Sequence, residues 1–292
     1  MAGKLKAIWD LTRLEHGIIY AVSLLASLII AYHSVTGLDM NLVIFGLIAV
    51  VAAEMGAFAL NDYFDVDVDR ANHRTDRPIV RGDVSKQEAL LLTIISFIVS
   101  VVAGYLMNNL GAFVVLVVLI AFGILYDYKL KEYGVWGNLY IAFTMAAPFL
   151  FSSMLFKGSQ VLLLLAAIAF LVGLGREIMK GIMDVEGDAL RDVKTVARVY
   201  GTTAAKYAAV ALYLISILLA PIPYLFNIDE HFYHNTCYAV LAALAALILL
   251  YVCVSLLRGH DRKTISRARK VTLAGMVVAL VAFLAGALTY SA

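Results

Sequence analysis

The sequence predicts an all-α integral membrane protein with nine transmembrane helices, and three observations carry that reading. Of the 292 residues, 63% are hydrophobic and only 15% charged, whereas an ordinary soluble domain carries about 25% charged residues. Apolar runs approaching the roughly 20 residues that a bilayer core requires of a helix recur nine times. The basic residues, finally, concentrate in alternate connections between those runs. The net charge of +2 says little about partners, and no nucleic-acid partner is expected. The placement of the charges is what informs.

The chain begins with MAGKLKAIWDLTRLEHG, which has no signal-peptide cleavage pattern. Trp9 and the basic residues around it read as an interfacial helix ahead of the first span. The nine spans centre on residues 18–31, 42–60, 90–106, 112–126, 139–156, 161–174, 204–219, 238–257 and 271–288. Helix is the expected structure for each, because lipid offers backbone polar groups no other partner. Spans two and six are each followed by a charged segment, and if the helix of span two continues past the bilayer its charged residues line one face. Met107-Asn108-Asn109-Leu110-Gly111 reads as a tight turn between spans three and four. Pro221 and Pro223 are expected to end span seven. Cys237 and Cys253 share span eight, about 24 Å apart along a helix, too far to pair with each other. With no linker rich in Pro, Gly or Ser, residues 1–292 are expected to form one membrane domain.

Orientation follows from the positive-inside rule. With the N-terminus in the cytoplasm, Lys4, Lys6 and Arg13 precede the first span on that side. Arg70, Arg74, Arg77, Arg81 and Lys86 then lie in the second-to-third connection, and Lys129 and Lys131 in the fourth-to-fifth. The sixth-to-seventh connection holds another group from Arg176 to Lys206, and the eighth-to-ninth one from Arg258 to Lys270. Of all the basic residues, only Lys157 falls outside this scheme. A multi-pass cell-membrane protein with its C-terminus outside is therefore expected.

Two segments on that face carry the chemistry. In NDYFDVDVD, residues 61–69, a spacing of four separates Asn61, Asp65 and Asp69. In REIMKGIMDVEGD, residues 176–188, the same spacing separates Arg176, Lys180, Asp184 and Asp188. Residues four apart share a helix face, and like charges so placed repel. A hard divalent cation removes the repulsion. Mg²⁺ takes oxygen ligands and commonly joins one or two carboxylates to substrate phosphates. Two facing clusters suit two ions around one diphosphate, with arginine and lysine neutralising the remaining phosphate charge. That set of groups turns diphosphate into a leaving group. Charge in loops more often serves solvation and topology alone, but a second stripe on the same face weakens that explanation. The stripes follow spans two and six, which suggests two related four-helix halves and a ninth helix.

These residues bring out a resemblance to the UbiA superfamily of intramembrane prenyltransferases. Its N-D-x-x-D-x-x-x-D motif is matched by Asn61, Asp62, Asp65 and Asp69, and its D-x-x-x-D motif by Asp184 and Asp188. Arg77-Pro78, Tyr126, Leu130-Lys131 and Gly137-Asn138 also fit, and the resemblance spans nearly the whole chain. It implies a UbiA-like helical bundle with an active-site cap on the cytoplasmic side. It further implies two Mg²⁺ ions held by Asn61, Asp65, Asp69, Asp184 and Asp188 and bridged by a prenyl diphosphate. Arg77, Lys131, Arg176 and Lys180 would contact the diphosphate, with Tyr126 near the cleaved bond, its ring face toward a developing cation. Arg74 and other nearby cations would suit an acceptor that itself bears a phosphate. Within the family, REIMKGIMDVEGD is most similar to archaeal members that attach a geranylgeranyl group, taken from geranylgeranyl diphosphate, to geranylgeranylglyceryl phosphate. The chain departs from the family at Arg13-Leu14-Glu15-His16, where Arg-x-x-Asn is expected, and at Gly181 and Met183, where relatives are often more polar.

Two other readings stand beside this one: an aromatic acceptor, as in quinone biosynthesis, and a cation-coupled transporter. A transporter would gather its ionisable groups near the midplane, whereas here only Glu54 lies deep. Glu54 precedes Asn61 by two helical turns, about 10 Å deeper on the same face. An acid within a span is a functional candidate, set here against a hydrogen bond to a neighbouring helix. Among the histidines only His231-x-x-His234 has a spacing that suggests zinc, and its loop, residues 227–235, is expected to be merely solvated.

Overall fold

The computed structural model describes residues 2–36, 38–71, 73–156, 158–190, 193–259 and 261–289, excepting the side chains of 2 and 186–190. In chain order the helices are α1 (Ala2–Thr12), α2 (Leu14–Tyr32), α3 (Met40–Ala71), α4 (Pro78–Arg81), α5 (Lys86–Leu106) and α6 (Leu110–Tyr128). A 3₁₀ turn (Leu130–Tyr133) leads to α7 (Val135–Leu155), α8 (Gln160–Leu190), α9 (Val196–Tyr200) and α10 (Thr202–Leu219). Then come α11 (Ile222–Leu225), α12 (Thr236–Arg258) and α13 (Arg262–Leu288).

Among the described residues, nine helices are long and apolar enough to cross a membrane, one at each expected span. Helix α1 is the expected N-terminal helix. At 32 and 31 residues, α3 and α8 run about 48 Å, against a hydrocarbon core of about 30 Å. Both therefore carry their charged ends past the bilayer. Large apolar side chains such as Tyr105, Leu110 and Leu218 are exposed, as lipid-facing surfaces require.

The chain divides into two compact units, Met1–Leu25 with Leu38–Tyr128, and Ala26–Gly37 with Lys129–Ala292. In the first, Ala7 and Leu11 of α1 bury against Ala59 and Val66 of α3, with Ile79, Val84 and Ala89 completing the cluster. Helix α3 packs closely on α5. Gly56 permits this, since a Cβ there would lie 2.6 Å from Phe97 ring atoms. Ser100 Oγ donates to the Ala49 carbonyl at 2.7 Å, which satisfies a hydroxyl inside the apolar contact. Ser85 and Glu88 form a capping box that starts α5. The expected turn between spans three and four is present, and Asn109 Oδ1 accepts from the Ala112 N–H at 3.0 Å.

In the second unit, α8 packs on α7 and α10, and α12 on α13. Its core includes Leu162, Met179, Tyr213, Phe232, Tyr238 and Phe283. The Ser27 and Ser152 hydroxyls meet at 2.5 Å, a bond between membrane segments of the kind small polar residues supply. Helix α10 ends at Leu219, just before Pro221. Both cysteines are free, Cys237 exposed and Cys253 buried.

Candidate active site

Helix α3 carries the first motif beyond its apolar stretch. Asn61 Nδ2 donates to Asp65 Oδ2 at 3.1 Å and to Asp127 Oδ1 at 2.8 Å. Both amide hydrogens are thus engaged by carboxylates. Asp127, near the end of α6, is 4% exposed. Sequence reasoning missed it, because a single acid after Tyr126 has no periodic partner. Only the packing of α6 on α3 brings it to Asn61.

Asp62 forms a second cluster. It is 1% exposed, and its Oδ1 accepts from Arg13 Nη2 at 2.7 Å and lies 3.1 Å from Arg77 Nη1. Arg77 Nε lies 3.4 Å from Asp69 Oδ2, but this buried N–H has no aligned hydrogen-bond acceptor among the described residues. The Arg13 guanidinium also lies 4.6 Å from the centre of the Phe58 ring, and His16 packs on the same ring at 5.0 Å. The segment that departs from the family pattern therefore braces α3 through Asp62 and Phe58. Sequence reasoning had left Arg13 without a role.

The other residues expected in the first unit lie nearby in the chain. Arg74 donates through Nε and Nη2 to both Asp76 carboxylate oxygens, at 2.8 and 2.7 Å. That hydrogen bonding holds the Asp76 carboxyl below its ordinary pKa. Arg81 bridges Asp83 and Asp10. Tyr126 is partly buried at the end of α6. Glu54 is partly buried, and no hydrogen bond or ion pair joins it to another described residue. The alternative of a hydrogen bond to a neighbouring helix finds no partner in the described set.

In the second unit Lys131 sits on the 3₁₀ turn. Gly134 ends that turn at φ 44°, with the Lys194 carbonyl against the position a Cβ would take. Only glycine meets both conditions. Helix α8 presents Arg176, Lys180 and Asp184 in order. Arg176 has a buried Nε–H without a hydrogen-bond acceptor among the described residues. Lys180 Nζ lies 3.6 Å from Glu177 Oε2, and Asp184 is partly buried. Arg191 and the side chain of Asp188 lie outside the described residues. A Cβ at Gly181 would touch Thr195 at 3.6 Å. The small residue there lets the connection that follows α8 lie against that helix. Thr195 in turn caps α9 by accepting from the Arg198 N–H.

The donors on α3 are carboxylates and an amide, with neither imidazole nor thiolate among them. Such an oxygen set fits Mg²⁺ better than zinc or copper. Residues 20–279 match the model of the UbiA prenyltransferase family. The chain belongs to the UbiA prenyltransferase family. This UbiA-family chain is 47% identical to the digeranylgeranylglyceryl phosphate synthase of Archaeoglobus fulgidus, across 97% of its own length and 96% of the relative's. With the synthase of Saccharolobus solfataricus it shares 30% identity across 98% of both chains. A solved structure from work on digeranylgeranylglyceryl phosphate synthase in membranes superposes with a TM-score of 0.86. It is 27% identical and covers 98% of this chain and 99% of that one. A UbiA homologue from Archaeoglobus fulgidus bound to GPP and Mg²⁺ superposes at 0.69 with 17% identity, covering 95% and 99%. That last likeness concerns the fold alone. Family membership makes the chain a multi-pass membrane prenyltransferase and closes the transporter reading.

Proposed function

We propose that this chain transfers the geranylgeranyl group of geranylgeranyl diphosphate to the free hydroxyl of geranylgeranylglyceryl phosphate. This forms the second ether bond of archaeal membrane lipids. The observation that carries the proposal is the 47% identity to a digeranylgeranylglyceryl phosphate synthase over nearly the full length of both chains. An aromatic acceptor finds no comparable relative among those described.

In the reaction, the bond between the allylic carbon and the diphosphate oxygen breaks. A bond from the acceptor oxygen forms at that carbon, and the hydroxyl proton departs. Asn61, Asp65, Asp69, Asp184 and Asp188 hold two Mg²⁺ ions in this reading. Bound there, Mg²⁺ supplies positive charge opposite the developing diphosphate anion. Arg74, Arg77, Lys131, Arg176 and Lys180 bind phosphate oxygens. The enclosed Nε–H groups of Arg77 and Arg176, each without an aligned hydrogen-bond acceptor among the described residues, support that assignment. Because charge builds on the leaving oxygens, fixed cations favour the transition state over the bound substrate. Tyr126 offers a ring face to the allylic carbon as it becomes electrophilic. Glu54 orients the acceptor hydroxyl or takes its proton, and the absence of a described partner leaves its carboxyl available. Residues 1–292 act as one transferase domain, with the N-terminus in the cytoplasm and the C-terminus outside.

The test is incubation of purified protein with labelled geranylgeranyl diphosphate, Mg²⁺ and either geranylgeranylglyceryl phosphate or aromatic acceptors. Ether product from the glyceryl phosphate alone is expected. Asp65→Ala and Asp184→Ala should each abolish it while the detergent-solubilised protein keeps its wild-type Tm. Turnover at wild-type rate in either variant would remove the metal-ligand assignment, and product from aromatic acceptors alone would remove the acceptor.

A further inference from the structure

The second unit holds a side-chain cluster that the transferase reaction does not use. His33 follows α2. Asp229 and His231 lie in the connection between α11 and α12. His33 Nε2 is 2.9 Å from Asp229 Oδ2, across 196 positions of sequence. His231 Nδ1 is 3.4 Å from Asp229 Oδ1. The two imidazoles stack, with ring centres 3.6 Å apart and planes 17° apart. One ligand atom from each of the three residues lies within 4.8 Å of the others.

We propose that His33, Asp229 and His231 form a binding site for a borderline divalent transition metal, with Zn²⁺ as the reference ion. It is separate in chemistry from the Mg²⁺ ligands of the transferase reaction. The argument rests on donor type, spacing and support. Two imidazoles and a carboxylate are a donor set for zinc, copper or nickel, whereas magnesium prefers oxygen alone. With metal–ligand bonds of about 2.0–2.1 Å, tetrahedral ligands sit roughly 3.3 Å apart. The 2.9 and 3.4 Å contacts end on different oxygens of Asp229, and the three atoms that could share one ion lie within 4.8 Å of one another, so the side chains would close by up to about 1.5 Å around a bound ion. Three protein ligands leave one position for water.

The ligands are also held in place. The His231 N–H donates to Asp229 Oδ1 at 3.0 Å, and Asn235 Nδ2 donates to the His231 carbonyl at 2.9 Å. Next to His231, Phe232 is fully buried and packs on Tyr238 and Phe283 at 5.3 and 5.7 Å between ring centres. His33 adopts φ 52°, an uncommon backbone state for a residue other than glycine, and in it the ring reaches Asp229. Side-chain exposures of 23%, 15% and 26% for His33, Asp229 and His231 leave the cluster open to an arriving ion. The sequence pairing His231-x-x-His234 does not form the cluster. His234 packs on Tyr224 and Tyr233 instead. A bound ion would staple the end of the first span to the loop after the seventh.

The experiment uses untagged full-length protein in detergent, stripped with EDTA and returned to excess Mg²⁺. Zn²⁺ alone is the probe, titrated against a chromophoric chelator, with Tm followed in parallel. One equivalent of Zn²⁺ and a raised Tm are expected. His33→Ala and His231→Ala should weaken binding at least about tenfold. His234→Ala and Asp65→Ala should bind as wild type, and the second keeps this result independent of the transferase site. Cu²⁺ bound to the wild-type protein should show electron-paramagnetic coupling to two imidazole nitrogens, a readout that needs no variant to fold. Absence of Zn²⁺ binding to the wild type, or of that nitrogen coupling, would overturn the site. So would full binding in both histidine variants, and the cluster would then be a hydrogen-bonded clasp only.

Discussion

At the scale of single residues, adjacent acids in one motif have different surroundings. Asp62 is enclosed and answers two arginines, whereas Asp65 keeps company with Asn61 beside Asp127. Asp62→Ala would leave Arg13 and Arg77 partly buried without their shared acceptor. Breaking such a pair costs about 3–5 kcal/mol. A marked fall in Tm in detergent is expected, in contrast to the unchanged Tm of Asp65→Ala. A thermal scan of both variants makes the comparison. Asp127 acts on Asn61 by a direct hydrogen bond. Asp127→Asn should preserve shape but weaken the local negative charge. The Mg²⁺ concentration for half-maximal transfer should rise about tenfold or more, as losses of supporting groups around metal sites do, with Tm little changed. An Mg²⁺ titration of the rate provides the check. The spacing of Asn61, Asp65 and Asp69, and of Asp184 and Asp188, was legible in the sequence because it repeats. Asp127 and Arg13 were not, since each reaches its partner through tertiary packing.

At the scale of elements, the long helices α3 and α8 carry the residues proposed for the chemistry, and close packing on a neighbour holds each within its own unit. Gly56 is the tightest legible point on α3. Gly56→Ala drives a methyl group into the Phe97 ring, and overpacking of that kind costs about 1–3 kcal/mol. Phe97→Leu in the same chain should recover part of the loss. A double-mutant cycle on Tm should therefore show coupling, and additive effects would contradict the contact. The apolar part of each span was readable from its run, whereas the full extents of α3 and α8 through their charged segments came from the structure. The contact between Gly56 and Phe97 was not readable, because no local pattern says which face of one helix meets which face of another. The same holds for Gly134 beneath Lys194. There a residue that reads as an ordinary loop glycine is required by positive φ and by the approach of a backbone 60 positions away in sequence.

At the scale of the whole molecule, the distribution of charge predicts an orientation for the chain. An N-terminus in the cytoplasm puts the start of α12, and Cys237 with it, on the outer side. Cys253 lies well inside the same helix and is buried. A membrane-impermeant thiol reagent should label Cys237 in right-side-out vesicles and leave Cys253 untouched. Labelling of Cys237 only in inverted vesicles would reverse the orientation.

The sequence by itself determined the number of spans, their helical form, the expected orientation and the two acidic stripes. Each depends on composition or on a repeat along one helix, and a bilayer turns those local properties directly into structure. Tertiary structure alone decided that Asp127 joins Asn61, that Arg13 braces Asp62 and that His33 meets Asp229 and His231. Those partners stand 66, 49 and 196 positions apart. Their meeting depends on side-chain packing between helices and loops, which no periodicity within one segment encodes.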